Sequence, residues 1–141
     1  DGGNFSVYKG ADIWHYPQFY NYMDVSLVPL EDNKFNSMKS ELKMIEAGAF
    51  HKAVIVSGVK PYTNVIRDGW NCLVANSSTD WVTHIKDLKN NPQKALDLGS
   101  QLAEDVKGYD INEVNKDRFF HIILVFLERL PMAGFYFFIV M

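Results

Sequence analysis

Residues 53–57 read Ala-Val-Ile-Val-Ser, an apolar run with no polar alternation until its last position. A strand that is apolar on both faces cannot sit in a sheet with one side open to water. It belongs inside a parallel sheet covered by helices above and below. That requirement restricts the chain to α/β architecture. The flanking segments agree with it. Val25-Ser-Leu-Val-Pro29 reads as a second buried strand, preceded by a short helix over residues 16–23, and Cys72-Leu-Val-Ala75 reads as a third.

Helical periods lie between and after these strands. Met38, Leu42, Ile45 and Ala49 recur at i, i+4, i+7 and i+11, predicting a helix over residues 38–48 with Gly48 at its C-cap. Ser77 or Ser78 caps a helix that carries Trp81, Ile85 and Leu88 on one face. Pro92 opens another through Ala95, Leu98, Leu102 and Val106, and a last helix begins near Ile111. Strands alternating with helices predict an α/β, Rossmann-like parallel sheet with flanking helices. Only three or four strands are visible, so the expectation is a partial domain whose first strands lie upstream.

Composition narrows the chemistry. The 141 residues are 48% hydrophobic and 22% charged, enough for one domain with a core. A net charge of −3 argues against a basic nucleic-acid-binding surface, so no nucleic-acid partner is expected. The single cysteine, Cys72, reads as a buried structural thiol. His15, His51, His84 and His121 show no metal-ligand spacing, so no metal is expected. No GxGxxG or Walker A motif is present, and no nucleophile constellation stands out. Tyr16, Phe19 and Tyr20 at helical spacing read as core.

The ends carry their own expectations. The start, DGGNFSVYKGAD, has neither a basic nor an apolar signal region and no initiator Met, which suggests a segment of a longer protein and a cytoplasmic setting. Residues 119–141 are mostly apolar but broken by His121, Glu128, Arg129 and Pro131, so no run approaches the ~18 residues of a spanning helix. The division read here is a domain over residues 1–130 and an apolar tail over 131–141. The tail docks on the domain; contact with a second copy, with the inner face of a membrane or with a partner domain stands as the alternative.

In open parallel sheets ligands bind beyond the carboxyl ends of the strands, which singles out the loops at residues 29–38 and 57–64. On a helix over 38–48, Lys39, Lys43 and Glu46 fall on one side within about 60°. Two lysines near a helix N-terminus suit a diphosphate, and a carboxylate further on suits a diol. The alternative is a Lys43–Glu46 surface pair with Lys39 in solvent.

Residues 29–74, PLEDNKFNSMKSELKMIEAGAFHKAVIVSGVKPYTNVIRDGWNCLV, resemble the C-terminal, donor-binding domain of group 1 (family 4) glycosyltransferases of the GT-B fold. The likeness rests on the Val25–Pro29 strand, the Glu46-Ala-Gly-Ala49 turn, the Ala53–Ser57 strand and Ile66-Arg-Asp-Gly-Trp-Asn-Cys-Leu-Val74, and extends over about residues 12–120. It implies a nucleotide-diphosphate sugar as donor substrate, no cofactor and a retaining hexosyl transfer in glycan biosynthesis. By position it implies Glu46 on the donor ribose, with Lys43 completing a Lys-x-x-Glu arrangement. Asn36, Ser37, Lys39 and Ser40 would face the diphosphate and sugar, and Pro61 and Tyr62 would lie beside the base. Met38 stands where the family's first glutamate would fall, and Cys72 replaces a common glycine. The family's diphosphate-neutralising Arg/Lys pair and its N-terminal acceptor-binding domain are not in this sequence. The resemblance therefore implies a donor-binding part with no catalytic residue of its own, inactive in isolation. A non-catalytic α/β binding or regulatory module on the same scaffold is the alternative.

Overall fold

The computed structural model describes residues 7, 9–12 and 14–110. The last helix and the apolar tail expected from the sequence lie outside them. The chain divides into two compact units, Asp1–Lys107 and Gly108–Met141. The fold below is that of the first.

Three parallel strands, β1 (Val25–Val28), β2 (Ala53–Ser57) and β3 (Leu73–Ala75), lie in the order β1-β2-β3. Val25 pairs with Ala53, and Ile55 with Leu73. The central strand is the one that is apolar up to its last residue, Ser57, and its four hydrophobic residues are fully buried. Pro29, expected to end the first strand, lies just beyond it, because it has no N–H to give the ladder. The 3-10 segment Tyr16–Tyr22 precedes β1, and helices α1 (Leu42–Ala49), α2 (Ser78–Asn90) and α3 (Pro92–Val106) complete the unit.

Alternation along β2 divides the core. Val54 and Val56 face Met44, Ala47, Leu102 and Val106, whereas Ala53 and Ile55 face Leu88, Ala95 and Leu98. Helix α3 contributes to both sides: it crosses from one face of the sheet to the other past the start of β2. Gly99 makes the crossing feasible, since a Cβ there would stand 2.3 Å from the His51 carbonyl oxygen. Ser77 caps α2 through a capping box with Asp80, and Pro92 opens α3 at its N-terminus.

The first helix departs from the sequence expectation. Residues 36–38 form a 3-10 turn, Lys39 is extended, and α1 begins only at Leu42. Its buried face is Met44, Ala47 and Gly48, whereas Met38 and Leu42 are exposed. The segment carries two apolar stripes, and packing selects the one with small residues because they let α3 approach closely. Gly48 is accordingly inside the helix, with Val106 and Leu102 where its side chain would be. The turn out of α1 is taken by His51, at φ 55°.

Candidate functional site

A cleft of about 780 Å³ runs along β1 from Met23 to Val28 and past its carboxyl end at Pro29 and Leu30, and Tyr16, Tyr20, Lys39, Ser40, Lys43 and Tyr62 wall it. Four of the eight site residues expected from the sequence therefore share one cavity: Lys39, Ser40, Lys43 and Tyr62. They do not share one helix. Lys39 and Ser40 precede α1, so the arc expected for Lys39, Lys43 and Glu46 is replaced by a loop lysine beside a helix lysine. The loop lysine is exposed, and its Nζ stands 5.2 Å from the Phe35 ring centroid.

Lys43 and Glu46 are joined at 2.8 Å, as spacing alone allows, and both are drawn into a larger cluster. Glu46 Oε2 accepts from Lys43 Nζ at 2.8 Å, from the Tyr20 hydroxyl at 2.8 Å and from the Tyr16 hydroxyl at 3.2 Å. The Lys43 ammonium also donates to the Tyr16 oxygen and sits 4.6 Å from that ring's centroid. Glu46 does not line the cleft; Tyr16, Tyr20 and Lys43 stand in front of it, and its side chain keeps 23% exposure. Burial opposes the Lys43 charge, but hydrogen bonds to Glu46 and Tyr16 outweigh it and raise the ammonium above its ordinary pKa. Burial, reinforced by Glu46, holds the Tyr20 phenol protonated far above its usual range. Burial likewise raises Tyr62, partly offset by the nearby Lys43 charge.

The other expected residues act on the loops. Asn36 is buried: its amide nitrogen donates to the Glu31 carbonyl, and its backbone N–H donates to Asn33 Oδ1. Ser37 Oγ donates to the Lys34 carbonyl at 2.8 Å. Pro61 is buried beside Tyr62 in the turn after β2. Between the strand ends, Leu30 N donates to Ser57 Oγ at 2.8 Å and ties the two loops together. A second cleft, about 630 Å³, lies next to the first and is lined by Glu31, Asp32, Gly58, Asn76, Ser78 and Trp81 among others.

Tyr16 and Tyr20 are the residues that sequence reasoning assigned to the core alone. Their spacing showed a helical face, and a buried phenol needs a hydrogen-bond partner. Nothing in the spacing says that this partner is a carboxylate beyond the next strand. Among the described residues, no cluster of three or more His, Cys, Asp or Glu could hold a metal ion. No helix among them is long and apolar enough to cross a membrane.

No protein-family model and no curated protein matches the chain. Among solved structures it is similar to sucrose-phosphate synthase from Thermosynechococcus elongatus, with a TM-score of 0.59 at 20% identity. The chain shares the α/β fold of the matched part of that structure. The match covers 79% of this chain and 27% of the synthase, so the chain spans about a quarter of the length of that protein. At this identity the likeness is one of architecture: a parallel Rossmann-like sheet flanked by helices.

Proposed function

We propose that this chain is the donor-binding part of a nucleotide-sugar glycosyltransferase. The observation that carries the proposal is the convergence of Lys39, Ser40, Lys43 and Tyr62 on one cleft that runs along β1 and past its carboxyl end, in a glycosyltransferase-like fold. The two ammonium groups offer the positive charge that a bound diphosphate needs, without a metal ion. Ser40 adds a hydroxyl, Tyr62 forms the wall for the base with Pro61 buried beside it, and Asn36 and Ser37 hold the loop that carries Lys39. Glu46 is the carboxylate assigned to the ribose; it stands behind Tyr16, Tyr20 and Lys43, all of which bond its Oε2, so the ribose reaches it past these side chains. Transfer also requires an acceptor and neutralisation of the leaving group, which the family resemblance assigns to other parts of the polypeptide. The isolated chain therefore binds donor and transfers no sugar.

Titration of the chain with UDP, GDP and ADP by calorimetry tests this proposal. At least one should bind, and Lys43→Met should weaken that binding about tenfold, the loss of one charge-assisted contact. Failure of all three to bind overturns it. In the enzyme containing this domain, Glu46→Gln should lower kcat/KM for the donor roughly ten- to a hundredfold. Glu41→Gln, at the N-cap position outside the cleft, serves as the control.

One observation favours a second reading, a binding or regulatory module without turnover. Glu46 is already satisfied from within by three donors, and Met38 stands where the resemblance calls for a glutamate. Nucleotide-sugar binding by the full-length parent, with neither transfer nor hydrolysis of the sugar, decides for that module.

A further inference from the structure

The Tyr16 hydroxyl lies between an ammonium and a carboxylate. It accepts from Lys43 Nζ and donates to Glu46 Oε2 at 3.2 Å, while Lys43 also reaches the same carboxylate oxygen directly. A hydroxyl that accepts from a cation and donates to an anion uses both halves of its hydrogen-bonding capacity in charge-assisted bonds. A sugar hydroxyl brings that same pair of capacities. The position is thus a hydroxyl site, and in the free chain the protein fills it with its own side chain.

The element that fills it is held unequally along its length. Tyr20 is buried to 3% exposure and stacks on Phe50 with ring centroids 5.2 Å apart. Tyr16, one turn earlier, is only half-buried and lines the cleft. It opens a 3-10 segment whose N-cap residue, His15, makes no side-chain cap bond. Asp12 holds the backbone there, its carbonyl accepting from Tyr16 N at 2.9 Å and its carboxylate from His15 N at 3.0 Å, so any movement of Tyr16 is a rotation of its side chain. Tyr20 anchors the segment, and Tyr16, whose ring meets Phe19 and Tyr20 only edge-on, is the half-buried member that a ligand in the cleft would turn aside.

We propose that the Tyr16 hydroxyl is an intramolecular occupant of the hydroxyl position between Lys43 and Glu46, and that the ribose of a bound ribonucleotide displaces it. The inference rests on the donor-site reading above. It adds a selection rule: the incoming ligand must return an acceptor to Lys43 and a donor to Glu46. A ribose does so. A 2′,3′-dideoxyribose does not, and leaves Tyr16 in place.

The test is calorimetric titration of the chain and of Tyr16→Phe with UDP, GDP and ADP and their 2′,3′-dideoxy counterparts. Removing the competing hydroxyl should tighten ribonucleotide binding about tenfold, and dideoxynucleotide binding less than about twofold. Tyr20→Phe, which deletes a donor to Glu46 but no occupant of the site, should give no tightening. Circular dichroism of each variant, with Tyr16→Leu as a second substitution, verifies that the fold is kept. If wild type binds a ribonucleotide and neither Tyr16 variant binds it more tightly, the occupant role is overturned and the donor site stands. Equal tightening toward ribo and dideoxy ligands also overturns it, because the tyrosine then acts only as bulk. If neither wild type nor the variants bind any of the six, the donor reading fails and the inference fails with it.

Discussion

The side-chain amide of Asn71 donates to Asp105 Oδ2 at 2.8 Å, joining the end of the β2–β3 connection to α3. The same amide group donates to the Val65 carbonyl and accepts from Arg67 N, so one fully buried side chain closes the whole turn. That connection has no helix of its own and carries Tyr62 to the cleft. Asn71→Ala would strip partners from two backbone groups and one carboxylate, and should destabilise the fold by about 2–3 kcal/mol. Asp105→Ala removes one of the three bonds and an ion pair to the exposed Arg67, and should cost less. Urea denaturation of the two variants checks the order.

Two glycines make contrasting predictions. At Gly99 an added Cβ meets the His51 backbone at 2.3 Å, which cannot move without shifting the start of β2. At Gly48 the obstacle is the Val106 side chain at 2.7 Å, and alanine recovers part of the cost through helix propensity. Gly99→Ala should therefore lose about 2–3 kcal/mol and Gly48→Ala clearly less, measured by thermal or chemical unfolding.

Cys72 is fully buried, and burial pushes its thiol up to about 11 from an ordinary 9.0. The neutral thiol is the form the fold prefers. Below pH 9 both folded and unfolded chains keep the proton and the contribution is whole. Between pH 9 and about 11 the unfolded chain loses the proton first, so stability falls as pH rises through that window. Unfolding midpoints measured from pH 8 to 10.5 should decline more steeply for wild type than for Cys72→Ala. At pH 8 the native thiol should react with Ellman's reagent far more slowly than the denatured one.

Tyr20→Phe tests the anchor of the cluster by stability rather than binding. It removes the donor 2.8 Å from Glu46 Oε2 while keeping the ring that stacks on Phe50. The expected loss is about 1.5–3 kcal/mol, that of a hydrogen bond to a charged group. Glu46→Gln in the same background should then cost less than it does alone, because the two share one interaction.

Local signals were sufficient for much of this fold. A five-residue strand that is apolar almost throughout has one stable home, between two layers of helices, and β2 occupies it. Ser77 with Asp80, and Pro92 after Asn91, mark helix starts by hydrogen-bonding capacity and fixed φ, which neighbours in sequence decide. The stripe Ala95, Leu98, Leu102 and Val106 is buried at every position because no other apolar face competes with it on α3.

Tertiary structure decided the rest. Residues 38–49 hold two apolar stripes, and nothing local ranks them; the close approach of α3 at Gly48 does. That choice starts α1 at Leu42, takes Lys39 off the helix, and still returns it to the cleft beside Lys43 through the loop. Glu46 shows the same division. Sequence spacing determined that it could pair with Lys43 one turn away. Only the folded chain brings Tyr16 and Tyr20 across from the segment before β1, because hydrogen bonds spanning 30 and 26 residues are set by packing and leave no periodicity behind.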